Sequence, residues 1–119
     1  MVKMLSEYQE QALFVSWCKM HPTLKHFILC IPNGGNNTPQ WNVKLKKMGM
    51  RAGVSDLFIA LPNKKHHGLW VEMKRKNGGV KSLEQVEWIN RMNKVGYSAH
   101  FAHGFDQAKD IAIEYLKDL

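Results

Sequence analysis

The stretch Asp56-Leu57-Phe58-Ile59-Ala60-Leu61, answered six residues later by Gly68-Leu69-Trp70-Val71-Glu72-Met73-Lys74, decides how this chain folds. Both runs carry the branched and aromatic side chains that suit a pleated strand. Pro62-Asn63-Lys64-Lys65-His66-His67 joins them in a hairpin-like loop. Side chains alternate along a strand, so Leu69, Val71 and Met73 share one face while Trp70, Glu72 and Lys74 share the other. The first face suits a core. The second brings a carboxylate and an ammonium together beside an aromatic ring. Asp56, opening the preceding strand, lies close to Glu72 or one pleat away; the spacing leaves both open.

Working outward, residues 6–20 read as a helix with Ser6 as N-cap, ended by His21-Pro22-Thr23 because proline cannot continue it. Residues 27–31 form a short strand-type run, stopped by the loop Pro32-Asn33-Gly34-Gly35-Asn36-Asn37. A helix over 40–48 follows, with Thr38 capping it and Pro39 at its first turn. Residues 82–95 read as a helix whose Ser82 and Gln85 make the capping-box pattern, with Gly96 at its C-cap and Trp88, Ile89 and Met92 as core. Residues 98–103 give another strand. Residues 106–119 give an amphipathic helix with Ala108, Ile111, Ala112, Tyr115 and Leu116 at helical spacing. The order α-β-α-β-β-α-β-α predicts an α/β sheet flanked by helices with the hairpin in its middle. Neither a repeat nor a long linker interrupts it, so residues 1–119 are expected to form a single domain.

The net charge is +7 and it is unevenly placed. Between residues 40 and 54 stand Lys44, Lys46, Lys47 and Arg51 with no acidic residue, a pattern that suits a polyanionic partner or a merely solvated face. The last sixteen residues carry four acids and two lysines, a net of −2, which leaves +9 on the first 103. A basic working face is expected, with the C-terminal helix turned away from it. No apolar run nears the roughly 20 residues that cross a bilayer, and no signal-peptide pattern opens the chain, so a cytoplasmic, soluble location without membrane association is expected. Cys18 and Cys30 read as two buried thiols, and no Cys or His set has zinc spacing. His66-His67 beside Lys64-Lys65 suits a phosphate-contacting loop or a solvated turn. Neither GxGxxG nor GxxxxGK[ST] occurs, which argues against a nucleotide cofactor; Gly34-Gly35 reads instead as a turn needing positive φ.

The chemistry lies with Asp56, Glu72 and Lys74. Two carboxylates held close repel each other unless something neutralises them, and a hard divalent cation such as Mg²⁺ binds such oxygens. Bound there, it polarises a phosphodiester and lowers the pKa of a coordinated water. Lys74, two residues from Glu72 and pointing the same way, orients that water or stabilises charge on the phosphate. By itself, Asp…Glu-x-Lys is equally the pattern of an exposed salt bridge.

Arg51-Ala52-Gly53-Val54-Ser55-Asp56-Leu57, followed by Trp70-Val71-Glu72-Met73-Lys74, resembles the PD-(D/E)XK nuclease signature. The closer resemblance is to the VRR-NUC family, in the minimal stand-alone form found in phages and bacteria. It extends to Ile31-Pro32-Asn33-Gly34-Gly35, to Ser82-Leu83-Glu84-Gln85-Val86-Glu87-Trp88, and to Glu7-Tyr8-Gln9-Glu10-Gln11. The resemblance implies a restriction-endonuclease-like fold with a mixed central β-sheet, and a Mg²⁺- or Mn²⁺-dependent deoxyribonuclease. Asp56 and Glu72 would hold the metal with the Met73 carbonyl and Glu7, Lys74 would be the catalytic lysine, and Gln85 would face the site. Periodicity does not choose between Glu7 and Glu10; the family spacing favours Glu7. For Gln85 the capping box is a sufficient explanation without chemistry. Ser55 departs from the family, which has proline there. Lys44, Lys46, Lys47 and Arg51 are the candidate DNA-binding residues. The family further implies a homodimer acting on flapped or Holliday-junction-like DNA in replication and repair. A catalytically silent nucleic-acid-binding module and a nuclease acting on RNA are the competing readings.

Overall fold

The computed structural model describes residues 4–32 and 38–119. Helix α1 (Glu7–Met20) starts at a full capping box, in which Ser6 Oγ accepts from Gln9 N at 3.2 Å and Gln9 Oε1 accepts from Ser6 N at 2.9 Å. One 3₁₀ turn (Leu24–His26) leads into β1 (Ile28–Cys30). Helix α2 (Pro39–Lys47) is capped by Thr38, whose hydroxyl accepts from Trp41 N. Strands β2 (Leu57–Ile59) and β3 (Leu69–Lys74) follow, then α3 (Leu83–Lys94), β4 (Ser98–His103) and α4 (Phe105–Leu116). The element order is the one read from the sequence. The Gly34-Gly35 turn lies outside the described residues. Among the described residues, no helix is long and apolar enough to cross a membrane.

The four strands lie in the order β1-β2-β3-β4. The first three are antiparallel neighbours; β4 runs parallel to β3, which α3 makes possible by crossing back over the sheet. Leu57, Ile59, Leu69, Val71 and Met73 are fully buried on one face, against Phe14 and Cys18 of α1 and Ala108, Ala112 and Tyr115 of α4. The opposite face carries Phe58 and Trp70, stacked at 4.2 Å between ring centroids, and receives α3 through the Trp70–Trp88 ring contact at 5.3 Å. The acidic α4 thus packs on the face away from Trp70, Glu72 and Lys74.

Two sequence expectations are corrected. Cys30 is exposed, because β1 is an edge strand, whereas Cys18 is buried and its thiol is pushed up to about 12 by desolvation. Trp88 and Met92 are half-buried, and Ile89 alone on that helix is buried, since α3 is short of partners beyond the sheet. The 62–67 loop is a solvated turn, with Lys64, Lys65 and His67 exposed, and it is pinned at Asn63. Asn63 Oδ1 accepts from Lys65 N and His66 N, and Asn63 Nδ2 donates to the Tyr115 carbonyl. The loop enters β3 at its start, five residues or about 17 Å from Lys74 at strand rise.

Gly53 shows why the segment before β2 needs glycine. Its φ is +86°, and a Cβ there would lie 2.5 Å from the backbone of Glu84, at the start of α3. Gly49, at φ +105°, has open space around the same atom. Gly53→Ala is therefore expected to lose more stability than Gly49→Ala: the backbone strain of about 1–3 kcal/mol is common to both, and displacement of α3 is added only at Gly53. Urea unfolding of the two variants measures the difference; equal losses would remove the close approach as a constraint.

Candidate active site

The polar site lies where β2 and β3 part. Their register pairs Leu57 with Val71, and carried one residue on it sets Asp56 opposite Glu72. There the backbone ladder gives way to side chains. Asp56 N donates to Glu72 Oε2 at 2.9 Å, and Met73 N donates to Asp56 Oδ2 at 3.0 Å. Asp56 keeps its other edge in the sheet, since its carbonyl accepts from Ile31 N at 2.8 Å. The opening strand is accordingly shorter than its sequence suggests, beginning at Leu57.

Glu72 is 1% exposed and Lys74 4%, so both charged groups depend on partners. Lys74 Nζ donates to the Val80 carbonyl at 2.7 Å and to Gln85 Oε1 at 3.0 Å, and stands 3.9 Å from Glu72 Oε1. Gln85 Nε2 donates to Glu72 Oε1, while Gln85 Oε1 also accepts from Ser82 N at 3.0 Å. Capping α3 and contacting the site are therefore not alternatives for Gln85. One amide does both, because the third residue of a capping box folds back toward the N-cap, and this N-cap sits beside β3.

The Val80 carbonyl and the turn that delivers it are absent from the sequence reading. Gly78 and Gly79 have φ of +82° and +91°, and a Cβ on Gly79 would touch the Lys74 stem at 3.4 Å. Two glycines between the end of β3 and Ser82 are the signal that pointed to it: they let the chain double back over the lysine.

Glu7 and Glu10 go separate ways. The Glu7 carboxyl is raised above its usual value, first by partial desolvation and also by Asp56, against the opposing charges of Lys74 and Arg75. Glu10 is buried, and its Oε1 accepts from Phe105 N at 3.3 Å. It caps α4, whose own N-cap is Gly104 and offers no side chain. Ser55, in the position before Asp56, is fully buried, and its hydroxyl has no hydrogen-bond partner among the described residues. Lys44, Lys46 and Lys47 are exposed in the last turn of α2 and Arg51 is exposed just beyond it. They lie outside the Asp56–Glu72–Lys74–Gln85 network.

The donor set suits a hard cation held partly by water. Among the described residues no three His, Cys, Asp or Glu side chains form a ready metal cluster. Asp56 and Glu72 are two carboxyls tied side by side through the Asp56 and Met73 N–H groups, and a cation would neutralise the pair. Mg²⁺ is commonly bound in this way, by one or two carboxylates, waters and substrate phosphate.

A mixed sheet between helical layers, with an acidic pair and a buried lysine at the point where two strands separate, defines an α/β domain whose polar site is built on the sheet itself. Residues 1–106 match the family model described as the VRR-NUC domain. A solved structure described as a VRR_NUC domain protein superposes with a TM-score of 0.83 at 29% identity, over 97% of this chain and 91% of that one. Among curated proteins none matches. The chain belongs to the VRR-NUC family and is a nuclease-type domain.

Glu72 is pushed up to about 8, first by desolvation, then by the hydrogen bond and charge of Asp56; the Asp56 N–H and Lys74 oppose the rise. The folded protein thus keeps a proton that the unfolded chain, near the ordinary 4.5, gives up. Stability without metal should fall as pH rises from about 5 to about 8. Melting temperatures measured in chelator over that window should drop for the wild type, and Glu72→Gln should reduce the slope. A wild-type curve as flat as the variant's would contradict the assignment.

Proposed function

We propose that the domain hydrolyses DNA phosphodiester bonds with Mg²⁺ or Mn²⁺ at the Asp56–Glu72 pair. The observation that carries this reading is the placing of two carboxyls side by side, Glu72 accepting from Asp56 N and Asp56 accepting from Met73 N, next to a buried lysine oriented by the Val80 carbonyl and Gln85. Asp56 and Glu72 are the proposed metal ligands, with the Met73 carbonyl on the same strand and Glu7 reaching in from α1, directly or through water. A divalent cation bound there supplies Lewis-acid activation of the phosphodiester and of a coordinated water.

The chain's own contribution is positioning. Lys74 has three donors, and the Val80 carbonyl and Gln85 Oε1 hold two of them. The third remains to orient the attacking water or to meet charge on the phosphate. Gln85 fixes Glu72 from the other side and so sets the direction in which its carboxylate points. Lys44, Lys46, Lys47 and Arg51 are the proposed DNA-backbone contacts, distributed on an exposed face with no acid between them. The same reading takes the substrate as branched or flapped DNA in replication or repair, cut by a homodimer whose two sites address two strands.

The test uses wild type, Asp56→Ala and Lys74→Ala on linear, flapped and four-way-junction DNA and on RNA, with Mg²⁺, Mn²⁺ or EDTA. Metal-dependent DNA cutting by the wild type, reduced by at least about a hundredfold in each variant, is expected. Tight binding without cutting under either metal would make the domain a silent binding module, and preferential cutting of RNA would change its substrate. Binding in EDTA should also weaken steeply with salt, and replacing all four basic residues should flatten the log–log slope by about 3–4.

A further inference from the structure

A groove of about 590 Å³ opens beside the carboxylate pair, within the range of about 300–1,000 Å³ typical of small-ligand sites. Trp41 and Leu45, one turn apart on α2, form one wall. Ile31, Val54 and Trp70 form the other, and Arg51 stands at the rim. Trp41 is 45% exposed and no residue of α2 is buried, so the apolar stripe of this helix faces the groove without filling it.

The groove shares its wall with the site. Ile31 N donates to the Asp56 carbonyl, Val54 lies two residues before Asp56, and Trp70 lies two before Glu72 on the same strand face. Along the strand that last separation is about 7 Å, the reach of one nucleotide. Beyond the groove, α2 presents Lys44, Lys46 and Lys47, which with Arg51 make the rim on that side basic.

From this juxtaposition we infer that the groove takes an unpaired nucleobase next to the bond being cut, with its flanking phosphates on the lysines of α2 and on Arg51. The inference rests on the nuclease reading above and adds the form of the substrate. The basic rim calls for a polyanion, but phosphate alone has no use for an apolar cleft walled by two indoles. A paired base is already stacked on both faces and cannot enter, whereas an unpaired one gains an aromatic partner. A second copy of this chain is disfavoured there, because two such basic faces repel each other. Flapped DNA offers unpaired nucleotides at its junction; blunt duplex does not.

The test is a titration in EDTA with a deoxyoligonucleotide duplex bearing one unpaired 2-aminopurine, and with the same duplex carrying an abasic residue at that position. The wild type should quench the 2-aminopurine emission and bind the abasic analogue about tenfold more weakly. Trp41→Ala should bind both alike, and Trp41→Phe should restore the preference. Equal binding of the two duplexes by the wild type, or a preference that survives Trp41→Ala, would overturn the inference. So would DNA-free dimerisation abolished by Trp41→Ala, since that gives the groove to a second copy. Without metal the readout is independent of cutting: a protein that stacks the base and cuts nothing keeps this inference and loses the catalytic reading.

Discussion

The contact between the Gln85 amide and the Glu72 carboxylate holds together two requirements that otherwise conflict. A carboxylate and an ammonium buried in the middle of a small domain are costly, and leaving one unpaired costs more than either pair of bonds returns. Gln85 resolves this because an amide has a donor end and an acceptor end. Its Nε2 meets Glu72, and its Oε1 meets Lys74 and the N-cap N–H of α3. The start of α3 is thereby tied to β3. The Gly78-Gly79 turn is forced into its path, and the Val80 carbonyl arrives over the lysine as a consequence. Gly53 answers the same demand from the other side, by letting the segment before Asp56 pass against Glu84.

The two faces of the sheet divide the work. Leu57, Ile59, Leu69, Val71 and Met73 are sealed between α1 and α4, and this face supplies the apolar burial that stabilises the domain. With that secured, the opposite face carries polar groups whose net worth to stability is small. The side chains there differ in kind along one strand: Trp70 packs on Phe58 and Trp88, and two residues later the same face is charged. Apolar groove and carboxylate pair are neighbours for that reason, since strand alternation returns every second residue to one surface. Glu10 shows the same economy of carboxylates used structurally: a buried acid of α1 accepts from the Phe105 N–H at the start of α4, where the glycine N-cap has no side chain to do so.

Much of the fold was legible because it depends on local signals. Ser6, Thr38 and Ser82 mark helix starts through hydrogen bonds spanning three residues, and all three form them. The alternation of Leu69 to Lys74 separates core from site without knowledge of any partner strand. Cys30 was misjudged because burial depends on strand position, and nothing in Ile28-Leu29-Cys30 says that the strand lies at an edge. The anchor of the 62–67 loop is invisible in the sequence because the Tyr115 carbonyl that holds Asn63 is more than fifty residues away.

For the site itself, the sequence determined which side chains of β3 share a face, and the flanking motifs marked Asp56 as their companion. It could not determine the register that sets Asp56 opposite Glu72, since a one-residue slip is invisible in the spacing and only pairing fixes it. Nor could it separate Glu7 from Glu10, which lie within one helical turn; only the packing of α4 on α1 shows that Glu10 is buried against a helix end. Asp56, Glu72 and Lys74 were a pattern of charges in the sequence. The tertiary structure brought them together, because burial obliges Glu72 and Lys74 to take defined partners and the strand register sets Asp56 beside them.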